Sequence, residues 1–215
     1  MNSSENTKDV SEYGDAFYRL GIMGGTFDPI HVGHLALAQQ VFDACSLRSV
    51  LFIPAGNPAF KQQQHVTDAQ DRLAMCKLAV ANNPAFAVSD LEISRSGITY
   101  TVDTLRELRN ELGEGVELCL IIGADAAETL PQWKYYEAIA SLATIILIDR
   151  PGQRLAKDIY TELTETYGFR VEMVETTALD ISSTALRHLV YQGKSIRYLV
   201  PDAVYDYIHA HDLYR

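Results

Sequence analysis

Leu20-Gly21-Ile22-Met23-Gly24-Gly25-Thr26-Phe27-Asp28-Pro29-Ile30-His31-Val32-Gly33-His34 is the stretch around which the chain is built. Its first four residues form a short apolar run, and beyond it Leu35, Ala38, Val41 and Phe42 recur at helical spacing. The order is strand, tight glycine loop, helix. Gly24 and Gly25 carry no Cβ, so the backbone can turn sharply and a bulky anion can reach its amides. Gly33 lets the helix start come close to a ligand or to the sheet, where free N–H groups and a partial positive charge favour phosphate. His31 and His34 are spaced so that both imidazoles face one side of the first helical turn, as hydrogen-bond donors to phosphate oxygens.

The same alternation continues outward. Val50-Leu51-Phe52-Ile53, closed by Pro54, reads as a buried parallel strand, and Phe86-Ala87-Val88, Leu118 to Gly123 and Ala143 to Ile148 are further short apolar runs. Phe169, Val171 and Met173 alternate with charged residues, which predicts an edge strand. Helical faces fall between the strands. Leu73, Cys76 and Val80 follow a capping box of Thr67 and Gln70, Val102, Leu105 and Leu108 mark the next helix, and Leu155 to Tyr167 reads as a surface helix. Ser182 or Ser183 caps a short helix, and Pro201 starts another with Val204 and Ile208 inward. Arg72, His209 and His211 read as surface side chains.

This pattern predicts an α/β fold: a doubly wound, mostly parallel, Rossmann-like sheet with helices on both faces. Residues 1–17 are polar and read as an extension, leaving 18–215 as a single domain. The dinucleotide fingerprint Gly-x-Gly-x-x-Gly is absent.

Composition narrows the function classes. The 215 residues carry a net charge of −10, which argues against a protein that wraps nucleic acid. A polyanionic substrate must then be met locally, by amides, histidines, a few basic side chains and a divalent cation. Cys45, Cys76 and Cys119 are widely spaced in apolar surroundings and read as reduced core thiols. No apolar run is long enough to cross a bilayer and no signal-peptide core is present, so the expected location is the cytoplasm, away from membranes.

Gly24 to His34, with its His-x-Gly-His ending, resembles the signature of the nucleotidyltransferase superfamily, and Ile181-Ser182-Ser183-Thr184-Ala185-Leu186-Arg187 resembles that superfamily's second motif. Ile121-Ile122-Gly123-Ala124-Asp125 followed by Trp133 is similar to one branch, the bacterial nicotinate-nucleotide adenylyltransferases. The likeness runs from about Leu20 to Arg215. It implies the nucleotidyltransferase fold and transfer of the adenylyl group of ATP to nicotinate mononucleotide, giving nicotinate adenine dinucleotide and pyrophosphate in NAD biosynthesis. Gly24, Gly25, Thr26, Phe27, His31, His34, Ile181, Ser182, Ser183 and Arg187 would bind ATP. His31, His34 and Arg187 would carry the transfer. Mg²⁺ would be held mainly by the ATP phosphates, with no metal ligands from the protein. Lys61, Tyr100, Thr101, Gly123, Asp125 and Trp133 would form the acceptor side, with the Tyr100-Thr101 amides receiving the pyridine carboxylate. Ala59 and Phe60 stand where the family has Pro-His.

Several of these positions have blander readings. Lys61 fits a solvated loop lysine, Asp125 a helix N-cap, and Trp133 plain core, although its place after Pro131 suits a stacking wall for an aromatic ring. Arg187 sits near a helix start, where a cation opposes the helix dipole unless an anion is bound there. Two rival functions remain: an adenylyltransferase for another phosphorylated acceptor, such as the pantetheine-phosphate type, and a non-catalytic nucleotide-binding protein.

Overall fold

The computed structural model describes residues 17–57, 66–149, 155–177 and 179–215. β1 (Tyr18–Gly25), β2 (Ser49–Pro54), β3 (Phe86–Val88), β4 (Val116–Gly123), β5 (Ala143–Asp149) and β6 (Val171–Glu175) form one sheet in the order β3-β2-β1-β4-β5-β6. Every neighbouring pair is parallel. The helices are α1 (Val32–Ala44), α2 (Ala69–Val80), α3 (Leu91–Ser94), α4 (Thr101–Leu112), α5 (Ala124–Thr129), α6 (Tyr136–Leu142), α7 (Leu155–Thr161), α8 (Ser183–Tyr191) and α9 (Asp202–Ala210). The chain winds outward from β1 to β3, then starts again beside β1 at β4. That reversal opens a crevice at the carboxyl ends of β1 and β4, where open α/β sheets bind ligands.

Period-two alternation splits the apolar residues between two cores. Val50, Phe52, Cys119, Ile121 and Ile146 face α1, α2, α8 and α9, while Leu51, Ile53, Leu118, Leu120 and Ile145 face α4, α5, α6 and α7. Each fully buried aliphatic side chain contributes roughly 1.5–3 kcal/mol, so both faces drive the register. Gly21 leaves room for this packing, since a Cβ there would lie 2.7 Å from Leu47 Cδ1. The three cysteines are buried and free, as expected. His209 and His211 are exposed, also as expected. No helix among the described residues is long and apolar enough to cross a membrane.

Several local expectations are corrected. The cap of α2 is Asp68, whose carboxylate accepts from the Gln70 amide at 2.8 Å, in place of Thr67. The expected surface helix after β5 ends at Thr161 in a wider π turn, and its Ile159 and Leu163 are buried. β6 is an edge strand, but Val174 is its inward residue and Met173 is exposed. Arg72 is 1% exposed, the opposite of a surface charge. Its Nε donates to the Thr67 carbonyl at 3.0 Å, Nη1 to the Thr26 carbonyl at 2.8 Å and Nη2 to the Gly56 carbonyl at 3.4 Å. A buried guanidinium is tolerated when its donors are met, and here the loop after β1 and both ends of the β2–α2 connection meet them. Apart from Phe17, the expected N-terminal extension lies outside the described residues, as do Ala59, Phe60 and Lys61.

Candidate active site

The loop leaving β1 turns beneath its own aromatic ring. Phe27 has φ +49° and is buried against Phe52 and the edge of His34, so a Cβ on Gly25 would lie 2.9 Å from that ring. The Phe27 side chain thus packs against the loop and the core, which leaves only its main chain for a ligand. Gly24 is different. A Cβ there would meet nothing within 4 Å, which leaves its backbone open to a ligand.

His31 is the N-cap residue of α1 and His34 lies in its first turn, so the predicted one-sided placement holds. The rings stack with centroids 3.6 Å apart, and the His31 amide donates to His34 Nδ1 at 3.2 Å. Buried His31 Nδ1 has no hydrogen-bond partner among the described residues. Burial holds His31 down to about 4, and burial with the neighbouring His31 holds His34 down to about 3, so both are neutral at pH 7. Gly33 serves His31 and not the sheet, because a Cβ there would press on the His31 ring at 3.0 Å.

The start of α8 closes on the same loop. Ser182 caps the helix, accepting from the Ala185 amide at 3.2 Å, and Ser183 Oγ donates to the Pro29 carbonyl at 2.9 Å. Ser183 therefore ties the two motifs together. Arg187 stands in the second turn, one step past the expected place. Its Nη1 donates to the Asp28 carbonyl at 2.7 Å and lies 3.9 Å from the Asp28 carboxylate, and its Nη2 donates to Thr184 Oγ1 at 3.3 Å. Ile181 precedes the cap and packs on the α1-side core.

On the other side of Gly24, Gly25 and Thr26 lies a cavity of about 690 Å³, within the usual range for a small-molecule site. Tyr100, Thr101 and Trp133 line it. Tyr100 is the N-cap residue of α4, which turns the first amides of that helix toward the carboxyl end of the sheet. Trp133 follows the turn Leu130–Gln132, and its Nε1 donates to Thr129 Oγ1 at 3.2 Å. Gly123 and Asp125 do not line the cavity. Gly123 is the N-cap residue of α5, and Asp125 is exposed in its first turn, so the cap reading does not hold for Asp125.

The sequence reading missed two lining side chains. Glu92 on α3 accepts from Thr104 Oγ1 at 2.8 Å, and burial pushes its carboxyl up. Its own carbonyl sits so close to Gly56 that a Cβ there would be 2.0 Å away. Lys134 places Nζ 4.0 Å from the Tyr100 ring centroid, a cation at the mouth of an aromatic-walled pocket. A run of only four helical residues gives no periodic signal, and nothing in Trp133-Lys134-Tyr135 shows which side chain turns inward.

The cytidylyltransferase-like family model matches residues 22–189. A relative from Roseiflexus sp. (strain RS-1), named "Probable nicotinate-nucleotide adenylyltransferase", is 48% identical over 197 residues, covering 91% of this chain and 98% of that protein. The chain belongs to the nicotinate-nucleotide adenylyltransferase family. A relative with the same name from Corynebacterium kroppenstedtii is 48% identical over 196 residues, covering 91% of this chain and 90% of its own. Among solved structures, the Plasmodium falciparum nicotinic acid mononucleotide adenylyltransferase complexed with NaAD aligns with a TM-score of 0.75 over 92% of this chain and 97% of that one. At 20% identity that likeness speaks for the fold. The sheet order agrees with that fold, and the relatives carry the family.

Proposed function

We propose that this chain transfers the adenylyl group of ATP to nicotinate mononucleotide, giving nicotinate adenine dinucleotide and pyrophosphate as a step in NAD biosynthesis. The observation that carries the reading is a shared wall. The backbone from Gly24 to Thr26 lines the aromatic cavity and runs directly into the stacked His31–His34 pair, so an acceptor in the cavity and a triphosphate on the loop would meet at Gly24.

The acceptor's 5′-phosphate oxygen attacks the α-phosphorus of ATP, the α–β phosphoanhydride bond breaks, and pyrophosphate departs with the electron pair. That oxygen is already nucleophilic, so the protein's task is placement and charge neutralisation. His31 and His34 offer ring N–H groups to the triphosphate, and Arg187 follows the charge on the departing pyrophosphate. Ser182 and Ser183 hold α8 in place for that purpose. Trp133 walls the pyridine ring, the Tyr100-Thr101 turn supplies amides to its carboxylate, and Lys134 adds positive potential for an anionic acceptor.

Mg²⁺ enters this reading with the nucleotide. Asp28, the carboxylate built into the loop, is committed to Tyr214 and the Thr67 amide. The remaining groups are imidazole, guanidinium and amide, which suit phosphate oxygens better than a hard cation. When bound, the ion neutralises triphosphate charge.

Pyrophosphate release with ATP and a panel of acceptors tests the assignment. Nicotinate mononucleotide is expected to have the highest kcat/KM, above nicotinamide mononucleotide, because a neutral amide brings donors against the Tyr100-Thr101 amides. Preference for phosphopantetheine would overturn the acceptor, and no release with any acceptor would leave a binding protein.

A further inference from the structure

Beyond α9 the chain adopts backbone that non-glycine residues rarely take. Asp212 has φ +50° and Tyr214 has φ +66°, and both conformations persist only when their surroundings hold them. For Tyr214 the holding contact lies in the loop after β1. Tyr214 Oη donates to Asp28 Oδ1 at 2.8 Å and lies 4.0 Å from Met75 Sδ. Asp28 Oδ2 accepts from the Thr67 amide at 3.3 Å. Both carboxylate oxygens are thereby pinned, in a residue only 3% exposed, and its main-chain oxygen is the acceptor that holds Arg187 Nη1 at 2.7 Å.

We propose that Tyr214 is a positioning residue for the adenylyl transfer, acting through Asp28 to set where the Arg187 guanidinium waits. The inference rests on the activity proposed above. Tyr214 makes no claim on substrate itself: its hydroxyl is spent on Asp28. Burial and the Asp28 carboxylate push the phenol well above its ordinary range, so it stays a donor at every working pH. Without the hydroxyl, Asp28 loses one of its two pins and Arg187 loses a fixed acceptor. A displacement of the order of 1 Å in such a group costs up to about a hundredfold in rate.

A double-mutant cycle reads this directly. Tyr214→Phe keeps the ring and removes the hydroxyl. It is expected to lower kcat roughly tenfold with KM for ATP within about twofold, because the guanidinium matters most as pyrophosphate gains charge. Tyr214→Phe combined with Arg187→Ala should be no slower than Arg187→Ala alone, whereas a merely structural role would multiply the two losses. Asp28→Asn is a second route and should show the same dependence on Arg187. Unchanged kcat in Tyr214→Phe, or multiplicative losses, would overturn the proposal.

The ¹⁵N resonance of Arg187 Nε, recorded without substrates, separates this outcome from failure of the activity itself. A shift in Tyr214→Phe supports the positioning role even if wild-type protein releases no pyrophosphate. An unshifted resonance rejects it even if the enzyme is active.

Discussion

The His31 amide donates to Nδ1 of His34 at 3.2 Å while the two rings stack 3.6 Å apart. An imidazole that accepts at Nδ1 carries its proton on Nε2, so His34 is set as a one-sided donor. His34→Ala is therefore expected to fold and to lose on the order of a hundredfold in turnover, the scale of one lost preorganised donor. Steady-state pyrophosphate release with circular dichroism as the folding check decides it, and near-normal turnover would remove His34 from the mechanism.

Both imidazoles titrate far below the unfolded value of 6.5, near 4 for His31 and 3 for His34. Folded protein then binds fewer protons than unfolded protein as pH drops below 6.5, so stability falls from there toward pH 4. Melting temperature should show this loss, and the double variant His31→Asn, His34→Asn should show less of it. An anion on the loop reverses the preference, because it favours the charged imidazoles. Binding of α,β-methylene-ATP at pH 6 should accordingly take up protons, seen as a buffer-dependent heat in calorimetry. A buffer-independent heat would mean that the phosphates do not reach the histidines.

Arg187→Ala is expected to lower kcat far more than it raises KM for ATP. It also removes the bonds to Asp28 and Thr184, so a stability cost of about 0.5–1.5 kcal/mol should accompany it. Arg187→Lys should recover only part of the rate, since one ammonium lacks the planar fork that spans two acceptors. Kinetics at saturating ATP and denaturant unfolding measure the two effects separately.

Gly56→Ala tests the acceptor side. The new Cβ would sit 2.0 Å from the Glu92 carbonyl oxygen, so α3 must move. Overpacking of this kind costs roughly 1–3 kcal/mol, and KM for the acceptor should rise because Glu92 lines the cavity. An unaltered KM would separate α3 from acceptor binding.

What was legible in the sequence follows the physics of each signal. Short apolar runs bounded by Gly and Pro located β1 through β5, and the glycine loop located the paired His31 and His34 at the start of α1, because both are local in sequence. Trp133 and Tyr100 reached the cavity from motif resemblance. Arg72 was misread because two of its three acceptors, the Thr26 and Gly56 carbonyls, come from outside its own helix start, and a helix pattern reports only which face a residue is on, not what it meets there. Asp28 and Tyr214 were invisible as a pair for the same reason, being 186 positions apart. Asp125 is not the cap of α5: the cap is Gly123, two positions earlier, which leaves the carboxylate exposed in the first turn.

The buried Arg72 has a mechanical meaning. One guanidinium grips the Thr26 carbonyl after β1, the Gly56 carbonyl after β2 and the Thr67 carbonyl before α2. The loop on the proposed triphosphate side and both ends of the β2–α2 connection thus hang from a common pivot. A ligand that shifts one loop must break a buried hydrogen bond or drag the others along. Filling one half of the site is therefore expected to alter the affinity of the other half, and any such effect runs equally in both directions: whatever factor ATP imposes on acceptor affinity, the acceptor imposes on ATP.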